Sequence, residues 1–414
     1  MLCEQPKYSV LIPTRNGGKY LQSAVQSVLN QNYDSYELIV SVNHSTDGTL
    51  KYLQAINNPR LKITQPPRSC SMTANFEHGL AAMSGEWLII LGDDDAILPD
   101  LFARVDELLN DPNHEKSYAI SFRRALYFWP GCQELWGPIA LSYYESNKIE
   151  VTRSLSTLIK CIFALKSYYD LPELYTNKVI HSRIIQKAKN LSRGSFYHGI
   201  APDSYSGVAI ALLTNDFLYV DKPAFISGTS PKSNGLNNTS KNAKDGQEKV
   251  WSGINRSFYQ ESISDGFDGT AAVSLELWDL ADDGPLFILY ALEKIPFFIK
   301  TSQLNRIFLR ATQYVVYARL SRVLASPISD KQILMKAALD KLIAQNRISK
   351  VGLGVAKMIS GVVIIIDREI NNLVKIMTKL GFFRSYKGVA IESYSHADFP
   401  DIDSAIQHIA RKSN

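Results

Sequence analysis

Apolar and polar positions along the first hundred residues switch between two periods. Tyr8 to Pro13 is a short β-rich apolar run, and Lys19 to Asn30 then sets Leu21, Val25, Val28 and Leu29 at helical spacing, which predicts a strand followed by an amphipathic helix. Glu37 to Val42 predicts a second strand, the stretch His44 to Thr49 a turn leading into a helix, and Leu61 to Thr64 a third short strand. A helix is expected around Met72 to Met83. The run Trp87 to Leu91 then reads as a fully buried strand that ends abruptly in Gly92, Asp93, Asp94 and Asp95. Alternation of this kind builds a doubly wound sheet, in parallel order because crossovers are right-handed.

Further along, Ser117 to Phe128 predicts another strand, Leu155 to Leu165 a helix, and Asp203 to Leu213 a helix preceded by Pro202. The sheet domain is expected to close near Pro223 to Gly228. From Ser230 to about Gly266 the chain is rich in Ser, Asn, Gly and Lys with little periodicity, which predicts a loop or linker, and beyond it the patterns are helical. The 414 residues therefore divide into a sheet domain over 1–235, a loop and acceptor-side segment over 236–285, and a basic helical region over 286–414.

Composition narrows the class. With 45% hydrophobic and 21% charged residues the chain is globular. Cys3, Cys70, Cys132 and Cys161 are widely spaced with no CxxC pair, so zinc ribbons and disulfide scaffolds are excluded and a reducing, cytoplasmic compartment is expected. Glu4 and the strand beginning at Tyr8 leave no room for a signal peptide, and no run reaches the ~20 apolar residues of a membrane span; Val351 to Ile366 comes nearest, with Lys357 inside it. The formal charge of +5 hides an asymmetry. Leu286 to Lys387 holds 17 Lys plus Arg against five Asp plus Glu, a local +12, which leaves −7 for the rest. Such a basic region beside apolar runs fits the inner face of an anionic membrane, with the protein held there peripherally. A helical bundle packed on the catalytic domain with a solvated basic face accounts for it equally. No nucleic-acid motif accompanies the charge, and nucleic acid is not expected as a partner.

The candidate chemistry lies at strand ends. Three consecutive carboxylates repel one another, so gathering Asp93, Asp94 and Asp95 after a buried strand calls for a cation or a set of donors. Asp93 and Asp95, one residue apart, can face one direction from an extended segment and are the candidate metal ligands; a solvated acidic turn or a helix cap ahead of Leu98 and Pro99 is the alternative. The first strand ends in Pro13, Thr14, Arg15 and Asn16, and the second in Asn43, His44, Ser45, Thr46 and Asp47. Both put polar groups over the crevice where open α/β sheets bind ligands, although ordinary turn chemistry explains each of them singly.

Together, SVLIPTRN, ELIVSVNHSTDGT and GEWLIILGDDDAILPD resemble the nucleotide-sugar domain of family 2 glycosyltransferases, inverting enzymes of the GT-A fold, over roughly the first 235 residues. The resemblance implies a Rossmann-like mixed sheet flanked by helices, with a mainly α-helical region following. It further implies that Pro13, Thr14, Asn16, Asn43 and Asp47 bind a nucleotide sugar, Thr14 and Asn43 at the base. Asp93 and Asp94 would contact the ribose and diphosphate, and Asp95, with Asp93, a Mn²⁺ or Mg²⁺ ion. Two positions depart from the family pattern, where Val42 and Gly92 stand in place of acidic residues. Asn43 still offers a pyrimidine edge both an acceptor and a donor, so a UDP-sugar is the expected donor. Inverting transfer also needs a general base, and Asp203, in Ile200 to Asp203, resembles the family's catalytic Asp at a helix start; capping that helix is its alternative role. His198 and Lys232 could line the same pocket. The expectation is an inverting transferase acting on a glycan or lipid-linked acceptor in bacterial surface polysaccharide synthesis. A non-catalytic nucleotide-sugar or glycan-binding subunit of an assembly complex is the second reading, and turnover separates the two.

Overall fold

The computed structural model describes residues 6–114, 117–132, 139–143, 146, 148–233, 257–267, 284–299, 302–325, 330–362, 392–395 and 398–413. Cys3, most of the expected 236–285 linker, and the end of the Val351 to Ile366 run lie outside them.

Strands β1 (Tyr8–Thr14), β2 (Tyr36–Val42), β3 (Leu61–Thr64) and β4 (Trp87–Ile90) run parallel in the order β3-β2-β1-β4. Helices α1 (Gly18–Leu29), α2 (Thr49–Gln54) and α3 (Met72–Ala82) connect them. Side chains of β1 alternate between two cores. Val10 and Ile12 join Leu38, Val40 and α1 on one face, while Leu11 joins Ile39, Phe76 and Leu80 on the other. Burial on both faces is what a parallel strand requires, and it explains the continuous apolar runs.

Beyond β4 come β5 (Ala96–Ile97), α4 (Leu101–Asn110), β6 (Ala119–Phe128), β7 (Ile139–Tyr143), β8 (Ile149–Arg153), α5 (Ser154–Ile162), β9 (Lys178–His181), α6 (Ser182–Leu191), α7 (Pro202–Leu213) and β10 (Asp216–Thr229). Here the sheet becomes mixed. β9 lies antiparallel between β4 and β6, and β10 runs parallel to β6 but antiparallel to β5 and β8. The expected mixed α/β sheet with flanking helices is present.

One feature differs from the sequence expectation. A helix, α8, occupies 257–264 inside the stretch expected to be loop. Its support is tertiary rather than periodic: Phe258 and Tyr259 pack on Ile200, Ala201, Phe287 and Tyr290. The helical region after residue 284 holds α9 (Gly284–Lys294), α10 (Pro296–Ile299), α11 (Gln303–Val323), α12 (Asp330–Gln345) and α13 (350–362). It packs on the sheet domain, as the bundle alternative for the basic region expects. Ile288, Ala291 and Leu292 of α9 are buried in the same core as α7, and α11 and α12 build a further layer on α9 through Leu289, Val316, Leu320 and Leu339. The chain then returns to the sheet: β11 (Glu392–Ser395) pairs with β7, and α14 (Ile402–Ser413) buries Ile402, Ala405 and Ile409 against Tyr20, Ala96 and Leu98. Among the described residues no helix is long and apolar enough to cross a membrane.

Candidate active site

The carboxyl ends of β1, β2 and β4 open into one cleft of about 600 Å³, whose far wall is made by β6, the start of α7 and the end of β10, with α8 at its mouth. Of the nine expected site residues, Pro13, Thr14, Asn16, Asn43, Asp93, Asp94, Asp95 and Asp203 line it. Asp47 does not line this cleft. Its Oδ1 instead accepts from Thr49 N (3.1 Å) and Thr49 Oγ1 (2.6 Å) at the start of α2. Burial raises the Asp47 carboxyl, but these bonds and nearby Lys232 outweigh it and hold the carboxyl below its ordinary range.

The loops that follow β1 and β2 are tied to one another. Asn16 sits in the left-handed region at φ 60°, which Asn tolerates better than most residues, and its Oδ1 accepts from Thr46 N at 2.7 Å. Asn43 is buried, with Nδ2 donating to Cys70 O (2.7 Å) and Oδ1 accepting from Cys70 N (3.1 Å), so its amide fixes the loop before α3 while lining the cleft.

Each carboxylate of the acidic turn has a different environment. Asp95 has three donors: Gly92 N (2.9 Å) and Thr176 Oγ1 (3.0 Å) on Oδ2, and Gly228 N (2.8 Å) on Oδ1. Asp94 Oδ2 accepts from Ser230 N at 3.1 Å and from the Ser233 hydroxyl. Asp93 Oδ2 accepts from Thr14 Oγ1 at 2.6 Å. Burial pushes all three carboxyls up, and the Asp94 charge adds to this at Asp93 and Asp95. The backbone approaches so closely that side chains are excluded. A Cβ on Gly92 would lie 2.6 Å from Asp95 Oδ2 and 2.9 Å from the Tyr175 hydroxyl, and one on Gly228 only 1.7 Å from Asp94 O. The absence of an acidic side chain at Gly92 thus has a local steric reason.

Among the described residues no group of three or more His, Cys, Asp or Glu side chains is gathered to hold a metal ion. Asp93 and Asp94 offer carboxylate oxygens, the kind of donor a hard divalent cation takes. Asp95 fits less well, since three donors already occupy its oxygens.

Across the cleft, Asp203 lies in the first turn of α7, where Pro202 opens the helix and the N-cap, Ala201, gives no side-chain bond. Tyr168 Oη donates to Asp203 Oδ2 at 3.3 Å. Burial raises the Asp203 carboxyl against that bond, which makes it a stronger base than an exposed Asp. Lys232 reaches the loop after β1, with Nζ donating to Asn16 O at 3.0 Å. His198 bonds Ser195 O at 3.1 Å and is not among the cleft-lining residues.

Several lining residues escape the sequence reading. Tyr175 stands between the acidic turn and Asp203; burial, then the charges of Asp95, Asp94, Asp93 and Asp203, keep its phenol protonated and able to donate. Arg124 and Tyr169 form the wall beside Asp203, and only the consecutive arginines inside an apolar strand signalled anything there. Arg15 Nη1 pairs with Glu261 (2.8 Å) and Arg68 with Asp265 (2.7 Å), clipping α8 and the turn after it across the mouth.

Residues 9–150 match the family model described as glycosyl transferase family 2. A stretch of 110 residues is 32% identical to the GalNAc(5)-diNAcBac-PP-undecaprenol beta-1,3-glucosyltransferase of Campylobacter jejuni, covering 26% of this chain and 35% of that one. A stretch of 102 residues is 26% identical to the succinoglycan biosynthesis protein ExoO of Rhizobium meliloti, covering 25% and 29%. The chain spans about a third of the length of the curated relatives it matches. Among solved structures, that of S. aureus TarS 1–349 in complex with UDP-GlcNAc aligns at 15% identity and a TM-score of 0.45, covering 82% of this chain and 91% of that one.

Proposed function

We propose that this chain, whose residues 9–150 match the model of glycosyl transferase family 2, moves a sugar from a nucleoside diphosphate donor to an acceptor hydroxyl with inversion at the anomeric carbon. The observation that carries this is the facing of Asp203 and the acidic turn across one cleft. The acceptor oxygen forms its bond to the anomeric carbon as the bond from that carbon to the diphosphate oxygen breaks. Asp203 takes the acceptor proton and the nucleoside diphosphate leaves. Asp93 and Asp94 are assigned to hold Mn²⁺ or Mg²⁺, which supplies neutralising charge for the departing diphosphate. Asp95 holds the turn, and Lys232 and the Tyr175 hydroxyl are placed to meet phosphate or sugar oxygens. Uridine is the proposed base, beside Asn43. A glycan or lipid-linked acceptor in polysaccharide synthesis is proposed from the names of the relatives. The test is a donor screen: UDP-, GDP- and dTDP-sugars with Mn²⁺ or Mg²⁺, following release of nucleoside diphosphate. Binding of a nucleotide sugar without turnover in any acceptor mixture would favour the non-catalytic subunit.

The basic region supports a second element of this reading, peripheral attachment to an anionic membrane. On α13, Val351, Val355, Met358, Ile359 and Val362 are exposed at spacings that form one stripe, with Val351 79% accessible, and Lys350 and Lys357 lie on the same helix. An exposed apolar stripe with basic neighbours has the character of an interfacial helix.

A further inference from the structure

Three cationic side chains line the cleft: Arg15, which is paired with Glu261, and Lys232 and Arg124, of which the proposed donor accounts for Lys232. Lys232 stands with Asn16, Asp47 and Asp93, on the nucleotide side. Arg124 stands on the opposite wall. It follows Arg123 on β6, and consecutive strand residues face opposite ways: Arg123 turns to Asp221, whereas Arg124 shares the cleft face with Leu126. Its guanidinium carbon lies 4.4 Å from the Tyr169 ring centroid. At that distance the ring face attracts the guanidinium, and among the described residues no hydrogen bond or ion pair engages its N–H groups, which suit a carboxylate or phosphate.

The stacking partner is itself held rigidly. Tyr168 and Tyr169 lie on a turn closed by a capping box between Ser167 and Asp170. From beneath, the buried Lys178 Nζ donates to Tyr169 O (2.9 Å) and to Glu173 Oε1 (2.8 Å). That pair offsets most of its own charge, Glu173 also feels the Arg124 charge from a distance, and among the described residues no carboxylate lies within ion-pair distance of Arg124. One turn therefore presents two functional groups side by side: Tyr168 orients Asp203, and Tyr169 carries Arg124.

We propose that Arg124, stacked on Tyr169 next to Asp203, is an anion subsite for the acceptor, so that the hydroxyl receiving the sugar belongs to a molecule bearing a carboxylate or phosphate nearby. This rests on the reading of Asp203 as the acceptor-side base.

Equilibrium titration of the full chain, with and without UDP and Mn²⁺, uses three probes: octyl β-glucuronide, octyl β-glucoside, and an octyl diphosphate-linked N-acetylglucosamine. A charged probe should bind roughly tenfold or more tightly than the glucoside, as expected for charge-assisted hydrogen bonds. Arg124→Gln should bring the two within about twofold, Arg124→Lys should restore part of the preference, and UDP affinity should not change in either. Which charged probe gains tells a sugar carboxylate from a lipid diphosphate. Equal binding of charged and uncharged probes by the wild type, binding of none of them, a preference that survives in Arg124→Gln, or a fall in UDP affinity would each overturn the subsite. Failure of the transferase reading shows elsewhere, as no nucleoside diphosphate release by the wild type from any donor.

Discussion

Asp203→Asn separates catalysis from stability in a way that no cap residue would. The side chain keeps its shape, and its carbonyl can still accept from Tyr168 Oη, 3.3 Å away in the wild type. The acidic turn, across the cleft, is untouched. What is lost is a group that can accept a proton, so transfer at saturating donor and acceptor should fall by about 10²–10⁴-fold with donor affinity unchanged. Burial raises this carboxyl in the folded protein, so wild-type turnover should climb with pH through a limb lying above the ordinary Asp value of about 3.9, and the variant should lack that limb. Stability should move the other way. Between about pH 3.9 and the higher folded value the native state binds more protons than the unfolded chain, so wild-type stability declines as pH rises through that window. The deficit is about 1.4 kcal/mol for each pH unit separating the two titrations, and above the window it is fully present. Asn carries no such deficit. At pH 8 the variant should therefore melt above the wild type, and at pH 4 the two should coincide. Nucleoside diphosphate release measures the rate and calorimetric melting across pH measures the stability. Transfer within tenfold of the wild type, or equal melting at pH 8, would return Asp203 to a structural role.

The remaining predictions address the acidic turn and the basic region. Asp95→Ala leaves buried donors at Gly92, Gly228 and Thr176 without their acceptor, each costing ~1–3 kcal/mol, so its urea midpoint should drop sharply. Asp93→Asn should keep the midpoint and lose the Mn²⁺ dependence of UDP binding in calorimetry; the reverse pattern would make Asp95 the ligand. Gly92→Ala puts a Cβ 2.6 Å from Asp95 Oδ2 and should destabilise by ~1–3 kcal/mol in the same denaturation assay, while a stable, active variant would show the turn has room to relax. Full-length protein should sediment with vesicles containing phosphatidylglycerol, release as salt rises, and lose binding in Val351→Asp/Met358→Asp; each basic residue near the surface contributes roughly 1 kcal/mol. Equal sedimentation with neutral vesicles would exclude the electrostatic part.

The site was legible where its signal is local. An apolar run that stops at polar residues marks a strand's carboxyl end, and three such stops in order located Thr14, Asn43 and Asp93 to Asp95 at one crevice. Pro-Asp ahead of an apolar helix located Asp203. What those residues do once there depends on partners far away in the chain. Gly228 N–H and Thr176, which engage Asp95, come 133 and 81 positions later. Nothing near Asn43 announces that its amide closes on Cys70, and Asp47 carries the same turn chemistry whether it meets a nucleotide or caps α2. Helix α8 was illegible for a related reason: its eight residues have little apolar periodicity, and Glu261 becomes meaningful only beside Arg15, 246 positions earlier. Arg124 shows the same limit, since a strand arginine next to another arginine reads as a solvated edge until Asp221 is seen to pair with Arg123 alone.

The kind of partner holding the acidic turn bears on its use. Among the described residues Asp94 and Asp95 are held by main-chain N–H groups and hydroxyls, from Gly92, Gly228, Ser230, Thr176 and Ser233, and not by lysine or arginine. Neutral donors orient a carboxylate without cancelling its charge. A lysine inserted among the three would have made a buried ion pair, stable in isolation and with little remaining affinity for a cation. Lys232 remains at the rim, bonded to a carbonyl, close enough to lower the proton affinity of Asp93 but not at ion-pair distance from it among the described contacts. The negative potential of the acidic turn is therefore not cancelled by a directly paired cation among the described residues, and the Tyr175 phenol beside it is neutral; Arg124 lies on the opposite wall with Asp203. A site arranged this way binds a diphosphate only together with a divalent cation, because the anion alone would meet like charge; UDP affinity should accordingly be weak in EDTA and recover on Mn²⁺ addition, whereas a strong metal-free affinity would mean that Lys232 suffices.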